Sequence, residues 1–527
     1  MAKSQATVYS KSALNLLRMS RIAFQAPCAR HMQIRTKCDN SMNGVVIGLY
    51  LKSGEKDPQL TSGGEKFDDR VSGKISELVR ESGMTGELGI GRMFSNVDKE
   101  FSSVAVIGVG PQNAGFDEEE NIDVGMENTR IAAAAGARFL QLHGCKIVYV
   151  DGMEYPEQAA EGAALAVWRY NTNKLKNKRH SIPKVELYGT EGVDAWTRGL
   201  FKAESQNLAR RLSDTPSNHM TPTIFAQSTI DALCPCGVSV EVRTMDWIEA
   251  QGLNSFLMVA KGSCEPPVLL EINYVGASPE DPPITMLGKG LTFNSGGLCL
   301  KEKNGMDKNR ASMSGAATVV AAIRAAAALS LPINVSAVLP LCENMPSGMA
   351  VKPGDVITLM NGTTLGVKNT ALAGIAMMAD PLLYAQSAKK PSTLVDIGTY
   401  ARGVKFGLGA AATGVWTNRT TLWKQFKKAG SLTGDRMWRM PLWKHFKQLV
   451  GPSMTYDLCN QGKGPASSCL GAAVLQSLAT CADFAHIDSK GTGVLCGHGT
   501  PPYLLEGRMS GRPTRTIIQF LHQMALK

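Results

Sequence analysis

The sequence predicts an α/β protein in which a small α/β N-terminal domain precedes a larger α/β C-terminal domain with a central, mostly parallel sheet. The chain has 527 residues, a length that favours more than one domain. Hydrophobic residues make up 44% of it, which is ample for two cores. Apolar, β-branched runs alternate with helical stretches, a pattern typical of parallel sheets covered by helices on both faces.

We predict that the N-terminal domain spans residues 39–185 and contains four strands separated by helices. The strands are expected at Gly44–Leu51, Ser103–Val109, Lys146–Val150 and Lys184–Leu187, and the helices at Gly73–Glu81, Asn121–His143 and Pro156–Arg169. The glycine-rich run Gly108–Gly115 follows a strand, but its third glycine is displaced and Pro111 interrupts it. We therefore interpret this run as a loop rather than a dinucleotide-binding turn.

The polar, basic stretch Asn171–Pro183 is the predicted linker, and the C-terminal domain is predicted to span residues 186–527. Its clearest helices are expected at Gly192–Ser213 and at the alanine-rich Gly315–Leu329. Its strands are expected at Pro267–Tyr274, Ile284–Leu287, Asn334–Leu339, Thr393–Ile397 and Ala485–Asp488. No run of about 18 apolar residues occurs, so the sequence predicts no transmembrane helix.

Residues 1–38 carry seven Lys or Arg side chains, interleaved with serines, and no Asp or Glu. This composition predicts a mitochondrial transit peptide, and a disordered basic tail is the alternative. The net charge of +11 falls to +4 without this segment, so the basic composition is weak support for nucleic-acid binding. We expect a mitochondrial matrix protein with no nucleic-acid partner.

The 12 cysteines show no metal-binding spacing and indicate free thiols in a reducing compartment. The histidines after residue 38 show no pair at helical metal-binding spacing either. They are His143, His180, His219, His445, His486, His498 and His522. The sequence thus offers no alternative metal site built from Cys or His.

Several runs in the second half of the chain carry a family resemblance. They are Gly288–Gly297 (GKGLTFNSGG), Met306–Gly315 (MDKNRASMSG), Cys342–Gly348 (CENMPSG), Asn369–Ile375 (NTALAGI) and Gly511–Thr516 (GRPTRT). In order and spacing they resemble the leucyl aminopeptidases of the cytosol aminopeptidase type, which are two-metal exopeptidases. The resemblance extends from about Ser205 to the C-terminus. It implies a leucyl-aminopeptidase-like C-terminal domain and, by analogy, two divalent metals, Zn or Mn.

The resemblance also shows what this chain has lost. Four acidic metal ligands of the family are replaced by Asn294, Ser312, Ala371 and Ala373, and the family's bicarbonate-orienting arginine is replaced by Ile375. Two family lysines remain. The resemblance implies that Lys289 is a metal ligand and that Lys301 polarises the substrate. Neutral oxygens cannot supply the negative charge that two divalent cations require. We therefore expect a degenerate site with no competent catalytic residue and no metal cofactor.

A further substitution changes the pocket that receives the substrate's first side chain in the family. Arg402 stands where the family has glycine in an Ala-Thr-Leu-Thr-Gly run. The arginine is expected either to fill that pocket or form a new ion pair, or alternatively to point to solvent.

Together these observations predict a pseudoenzyme of the leucyl aminopeptidase family with a structural or scaffolding role. The resemblance implies a hexamer, formed with itself or with paralogues. Mitochondrial targeting combined with site loss resembles the sperm leucylaminopeptidases, which implies a place in sperm mitochondria. Two alternatives stay open: a metalloaminopeptidase with residual activity that releases N-terminal residues, and a regulatory pseudo-subunit of mixed hexamers. The sequence does not distinguish homo- from hetero-hexamers or identify a ligand.

Overall fold

The structure is a computed structural model that describes residues 42–52, 57–480, 483–494, 497 and 499–527. The predicted transit peptide, residues 1–38, lies outside the described residues. The predicted fold class is confirmed: a smaller N-terminal α/β domain is followed by a larger C-terminal α/β domain with a mostly parallel sheet.

The N-terminal domain contains a five-stranded sheet in the order β2-β3-β1-β6-β7 and a separate β4-β5 ribbon. The strands are β1 (Asn43–Tyr50), β2 (Gly91–Ser95), β3 (Ser103–Gly110), β4 (Phe116–Asp117), β5 (Ile122–Asp123), β6 (Ile147–Val150) and β7 (Lys184–Leu187). Within the sheet only β2 pairs antiparallel, and the other three pairings are parallel. The run Gly108–Gly115 forms the end of β3 and an irregular loop, as predicted.

Helices cover both faces of this sheet, which explains why β1 and β3 are continuous apolar runs with almost every residue buried. The helices are α1 (Ser62–Arg70), α2 (Lys74–Glu81), α3 (Val124–Leu142) and α4 (Pro156–Val167). Helix α3 begins where the Asp123 carboxylate accepts a hydrogen bond from the Met126 amide at 3.0 Å. It packs so closely on β1 that a Cβ at Gly136 would lie 2.3 Å from Val46.

The C-terminal domain is built on a sheet in the order β17-β16-β19-β15-β10-β12-β9-β8, with β11 paired to β12. Its strands are β8 (Ser239–Arg243), β9 (Val268–Val275), β10 (Ile284–Gly288), β11 (Gly290–Asn294), β12 (Asn334–Asn344), β15 (Thr393–Gly398), β16 (Thr413–Thr417), β17 (Met437–Arg439) and β19 (Asp483–Asp488). A small sheet contains β13 (Val356–Thr358), β14 (Thr364–Gly366) and β18 (Leu458–Cys459). The central strands β19, β15, β10 and β12 all run parallel.

Helices pack on both faces of the large sheet and bury a separate apolar cluster on each. They are α5 (Val193–Asp214), α6 (Pro222–Leu233), α7 (Met245–Ala250), α8 (Asn254–Ala260), α9 (Ser314–Ala328), α10 (Ala373–Met377), α11 (Ala379–Lys389), α12 (Arg402–Leu408), α13 (Thr420–Thr433), α14 (Lys444–Val450), α15 (Ser467–Leu478) and α16 (Thr514–Ala525). The segment Met306–Ala328 is long and apolar enough to cross a bilayer, but 83% of its most apolar window is buried. We therefore interpret it as a core helix.

Candidate degenerate metal site

The site residues meet at one edge of the large sheet. Strands β10, β12, β15 and β19 are parallel, so their carboxyl ends lie together, and this is where ligands bind in open α/β sheets. Lys289 directly follows β10, and Asn294 ends β11. Arg402 begins α12, four residues after β15 ends. Ser312 and Ala371 lie on two 3₁₀ helices, Met306–Met313 and Thr370–Leu372, that flank this edge.

Lys289 is buried, with 1% of its surface exposed, and its ammonium group makes hydrogen bonds within the protein. Its Nζ donates to the Ser312 carbonyl at 3.0 Å, to the Ser312 hydroxyl at 2.7 Å and to the Thr399 carbonyl at 2.8 Å. Burial, and then the cations Lys301 and Lys490, hold the pKa of Lys289 well below its usual value, against the opposing effect of Asp488 and Asp396. The lysine that the resemblance identifies as a metal ligand is thus engaged with neutral oxygens.

Asn294 belongs to a buried network of neutral groups. Its side-chain oxygen accepts hydrogen bonds from the Gly296 amide at 3.0 Å and from the Asn344 amide nitrogen at 2.9 Å. Asn344 also donates to the Thr370 carbonyl at 3.0 Å, and the Thr370 hydroxyl donates to the Gly296 carbonyl at 2.7 Å. The network joins β11, β12 and the Thr370 turn, so the oxygen of Asn294 has protein partners.

The other two positions at which the resemblance implies acidic ligands, Ala371 and Ala373, offer only methyl groups. Ala371 is half-buried, whereas Ala373 and Ile375 are buried in the apolar cluster on this side of the sheet. Ile375 lies against Gly471 of α15, where an added Cβ would be 2.7 Å from its Cδ1. The side chain of Ile375, at the position where the resemblance implies an arginine, therefore packs in the core.

Arg402 lies largely exposed, with 59% of its side chain accessible, and its Nη1 is 3.7 Å from Oε1 of Glu302. Its side chain is thus accessible to solvent and makes a long ion pair. Burial, and then Lys490 and Arg402, lower the pKa of Lys301 to about 7. Lys301 and Lys490 therefore lie close enough to Lys289 to lower its pKa, and Arg402 has the same effect on Lys301.

The residues at this edge do not fit two divalent metals. Among the residues that the structure describes, no three His, Cys, Asp or Glu side chains come together so as to hold a metal ion. The oxygens of Asn294 and Ser312 carry no charge and already have hydrogen-bond partners. Protonated Lys289 and Lys301 would repel a divalent cation. The carboxylates that act on Lys289, those of Asp396 and Asp488, already accept hydrogen bonds within the protein.

Comparisons with known proteins agree with this architecture. The model described as "Cytosol aminopeptidase family, catalytic domain" matches residues 207–518, and that described as "Cytosol aminopeptidase family, N-terminal domain" matches residues 46–177. The chain belongs to the cytosol aminopeptidase family. The cytosol aminopeptidase of Bos taurus is 45% identical over 92% of this chain and 93% of its own length. The cytosol aminopeptidase of Dictyostelium discoideum is 34% identical over 90% of this chain and 92% of its own length.

A solved structure extends the likeness to three dimensions. The bottromycin maturation enzyme BotP in complex with Mn superposes with a TM-score of 0.78 and 26% identity, covering 92% of this chain and 100% of BotP. The chain therefore shares the fold of this enzyme over most of its length.

The sequence reasoning overlooked three residues of this site: Asn344, Tyr400 and Lys490. Asn344 connects the neutral network, and the hydroxyl of Tyr400 donates to Asp396 at 2.5 Å while its ring lies 5.6 Å from Nζ of Lys289. Lys490 follows β19 by two residues. A charged residue just past the end of a predicted buried strand was a signal for Lys490, because neighbouring parallel strands end at the same edge.

Proposed function

We propose that this chain is a catalytically inactive member of the leucyl aminopeptidase family that serves as a structural hexamer in mitochondria, by resemblance those of sperm. The observation that carries the proposal is the environment of Lys289, whose ammonium donates to Ser312 and Thr399 where the family resemblance implies a metal ligand. A two-metal hydrolase needs metals to polarise the substrate carbonyl and to lower the pKa of the attacking water.

Electrostatics support this proposal. In the family, carboxylates balance the charge of two divalent ions, and four such positions here are occupied by Asn294, Ser312, Ala371 and Ala373. Two lysines remain in the same pocket. Bringing in a divalent cation would cost its hydration without the Coulomb attraction that normally offsets that cost.

The packing supports the structural part of the proposal. Both apolar clusters of the C-terminal domain are continuous, and Ala373 and Ile375 are part of one of them. The substitutions therefore remove the ligands without leaving the fold unsupported. Because function depends on the site rather than on the fold, assembly is the property that this chain keeps.

The activity experiment measures metal content and hydrolysis of leucyl amide for the purified protein. We expect neither stoichiometric Zn²⁺ or Mn²⁺ nor hydrolysis above background. Ala373→Glu alone should not restore activity, because groups that serve one site act together. Two metal equivalents retained after dialysis, with a chelator-sensitive rate close to that of the bovine relative, would overturn the proposal.

A variant in which the four carboxylates are restored tests whether their absence is the reason that the chain binds no metal. It combines Asn294→Asp, Ser312→Asp, Ala371→Asp and Ala373→Glu, the acids that the family carries at these positions. We expect this variant to retain metal ions that the unaltered chain does not. If the unaltered chain and the restored variant retain equal amounts of metal, the missing carboxylates are not the reason for the difference from active relatives.

The assembly and location are tested on the protein from its natural source. Native mass measurement should give a hexamer, and its peptide composition distinguishes self-assembly from mixed hexamers with paralogues. The N-terminus of the mature chain, read from purified mitochondria, should begin near or after residue 38. A cytosolic protein that retains Met1 would contradict the mitochondrial part of the proposal.

A further inference from the structure

We propose that Lys301, Arg402 and Lys490, here called the cationic pocket, form a binding site for a small oxyanion, a carboxylate or a phosphate. The inference is independent of the catalytic state of the protein, since it depends only on these three side chains and their surroundings. It gives the former active site a ligand of the opposite charge to the metals of its relatives.

Hydrogen-bonded backbone turns position the residues that carry these side chains. The loop after β11 turns back on itself, and the Lys301 amide donates to the Ser295 carbonyl at 2.9 Å. The turn is tight, because Gly296 has a φ of 101° and a Cβ there would be 3.0 Å from the Lys301 nitrogen. Lys301 is therefore held at the sheet edge by a closed loop rather than by a free chain.

Lys490 is anchored on the opposite side of the pocket. Its amide donates to the Asp488 carboxylate at 3.0 Å in the turn that follows β19. The next residue, Gly491, lies against α12, where a Cβ would be 2.1 Å from the Gly409 carbonyl and 3.5 Å from the Cα of Lys405. The turn therefore packs beside the helix that Arg402 begins.

Within the part of the chain that the structure describes, Arg402 is the one member of this cluster that makes an ion pair, and Asp488 partly offsets the charge around Lys490. The ammonium groups of Lys301 and Lys490 have no ion-pair or hydrogen-bond partner among those residues. Arg402 has only the long contact of 3.7 Å with Glu302, whose side chain is 76% exposed.

Asp488 lies nearby, but its carboxylate is already engaged. It accepts hydrogen bonds from the amides of Tyr400 at 3.0 Å, Ala401 at 3.1 Å and Lys490 at 3.0 Å. These bonds order the two chain segments that present Arg402 and Lys490. Asp488 thus shapes the pocket and leaves the cationic groups available.

The cations repel one another in the unliganded protein. Burial, and then Lys490 and Arg402, lower the pKa of Lys301. Burial also lowers the pKa of Lys490. Asp488 raises this pKa, whereas Arg402 and Lys405 lower it further. An oxyanion placed between them would remove this repulsion and accept several charge-assisted hydrogen bonds. The planar guanidinium of Arg402 matches carboxylate and phosphate geometry with two parallel donors.

The experiment is thermal unfolding of the full chain with increasing inorganic phosphate, with succinate in a second arm, and with chloride at matched ionic strength as the reference. EDTA is present throughout, so that metal binding cannot contribute. We expect a saturable rise in melting temperature with at least one oxyanion and little with chloride, because a ligand that binds only the folded state stabilises it by mass action. The arm that responds at lower concentration identifies the ligand as a phosphate or a carboxylate.

The variants Arg402→Gln and Lys490→Gln should each weaken the apparent affinity about tenfold or more, which corresponds to the loss of one charge-assisted contact. Lys303→Gln is the matched control, because it removes the same charge from an exposed side chain in the same loop. Arg402 is exposed, so its variant should fold even if that of Lys490 does not. An equal response to chloride, or an unchanged oxyanion response in Arg402→Gln, would overturn the proposal.

Discussion

A buried ion-pair cluster connects the two domains, and Glu161 is its central residue. The Oε2 atom of Glu161 in α4 accepts from Nε of Arg130 at 2.6 Å and from Nη1 of Arg515 at 2.7 Å, and all three side chains are about 1% exposed. Arg515 belongs to α16 of the C-terminal domain. It also donates to Gln206 at 2.7 Å and to the Thr433 carbonyl at 2.8 Å. We expect Glu161→Gln to destabilise the protein strongly.

The magnitude follows from the charge of this residue. Burial alone would raise the pKa of Glu161, but Arg130, Arg515 and Lys202 lower it from 4.5 to about 2. That difference corresponds to about 3 kcal/mol of stabilisation by the ionised form. Because the pKa is lower in the folded state, this contribution is complete above a pH of about 4.5 and is lost as the pH falls toward 2. Removing one partner of a buried pair generally costs about 3–5 kcal/mol.

The assay is urea unfolding at pH 7, with Glu191→Gln as the control. Glu191 pairs with Lys66 at 2.6 Å, but its side chain is 78% exposed, and such surface pairs contribute about 0–1 kcal/mol. We expect a clearly lower urea midpoint for Glu161→Gln and almost no change for the control. Equal midpoints for the two variants would refute the reasoning, since the buried cluster would then contribute no more than a surface pair.

Three further predictions concern the site. Chelation with EDTA should change neither the melting temperature nor the native mass, whereas a metal-dependent relative should lose stability. Gly374→Ala should destabilise by about 1–3 kcal/mol, because its Cβ would lie 2.3 Å from Cε of Lys289; unfolding in urea measures this, and an unchanged midpoint would contradict it. At pH 8, an amine-reactive reagent should label Lys301, with its pKa of about 7, before the exposed Lys303, as read by peptide mass.

Most strands and helices that the sequence predicts are present within a few residues. The predicted helix Asn121–His143 is α3 at Val124–Leu142, and the predicted strand Asn334–Leu339 is the first half of β12. The prediction missed β2, β8 and β17, which lie at sheet edges, and also β16, whose five residues are all buried. Edge strands bury fewer side chains, so their apolar patterns are weaker than those of central strands.

The chemical environment of the candidate site was only partly predictable from the sequence. The family resemblance of the sequence implies that Asn294, Ser312, Ala371 and Ala373 stand in place of four acids. The hydrogen bonds that Lys289 donates to Ser312 and Thr399 could not be predicted from the sequence, because they join chain positions that come together only in the folded sheet.

The sequence by itself determined the alternation of strands and helices, the family resemblance and the residue types at the positions where that resemblance implies metal ligands, because these are properties of residue type and near spacing. Only the tertiary structure decided which charges meet. Lys301, Arg402 and Lys490 converge because the parallel strands of the sheet end at one edge, and Glu161 meets Arg515 across 354 residues because α4 packs against the C-terminal domain. Electrostatic energy depends on distance through space and on burial, neither of which is a property of local sequence.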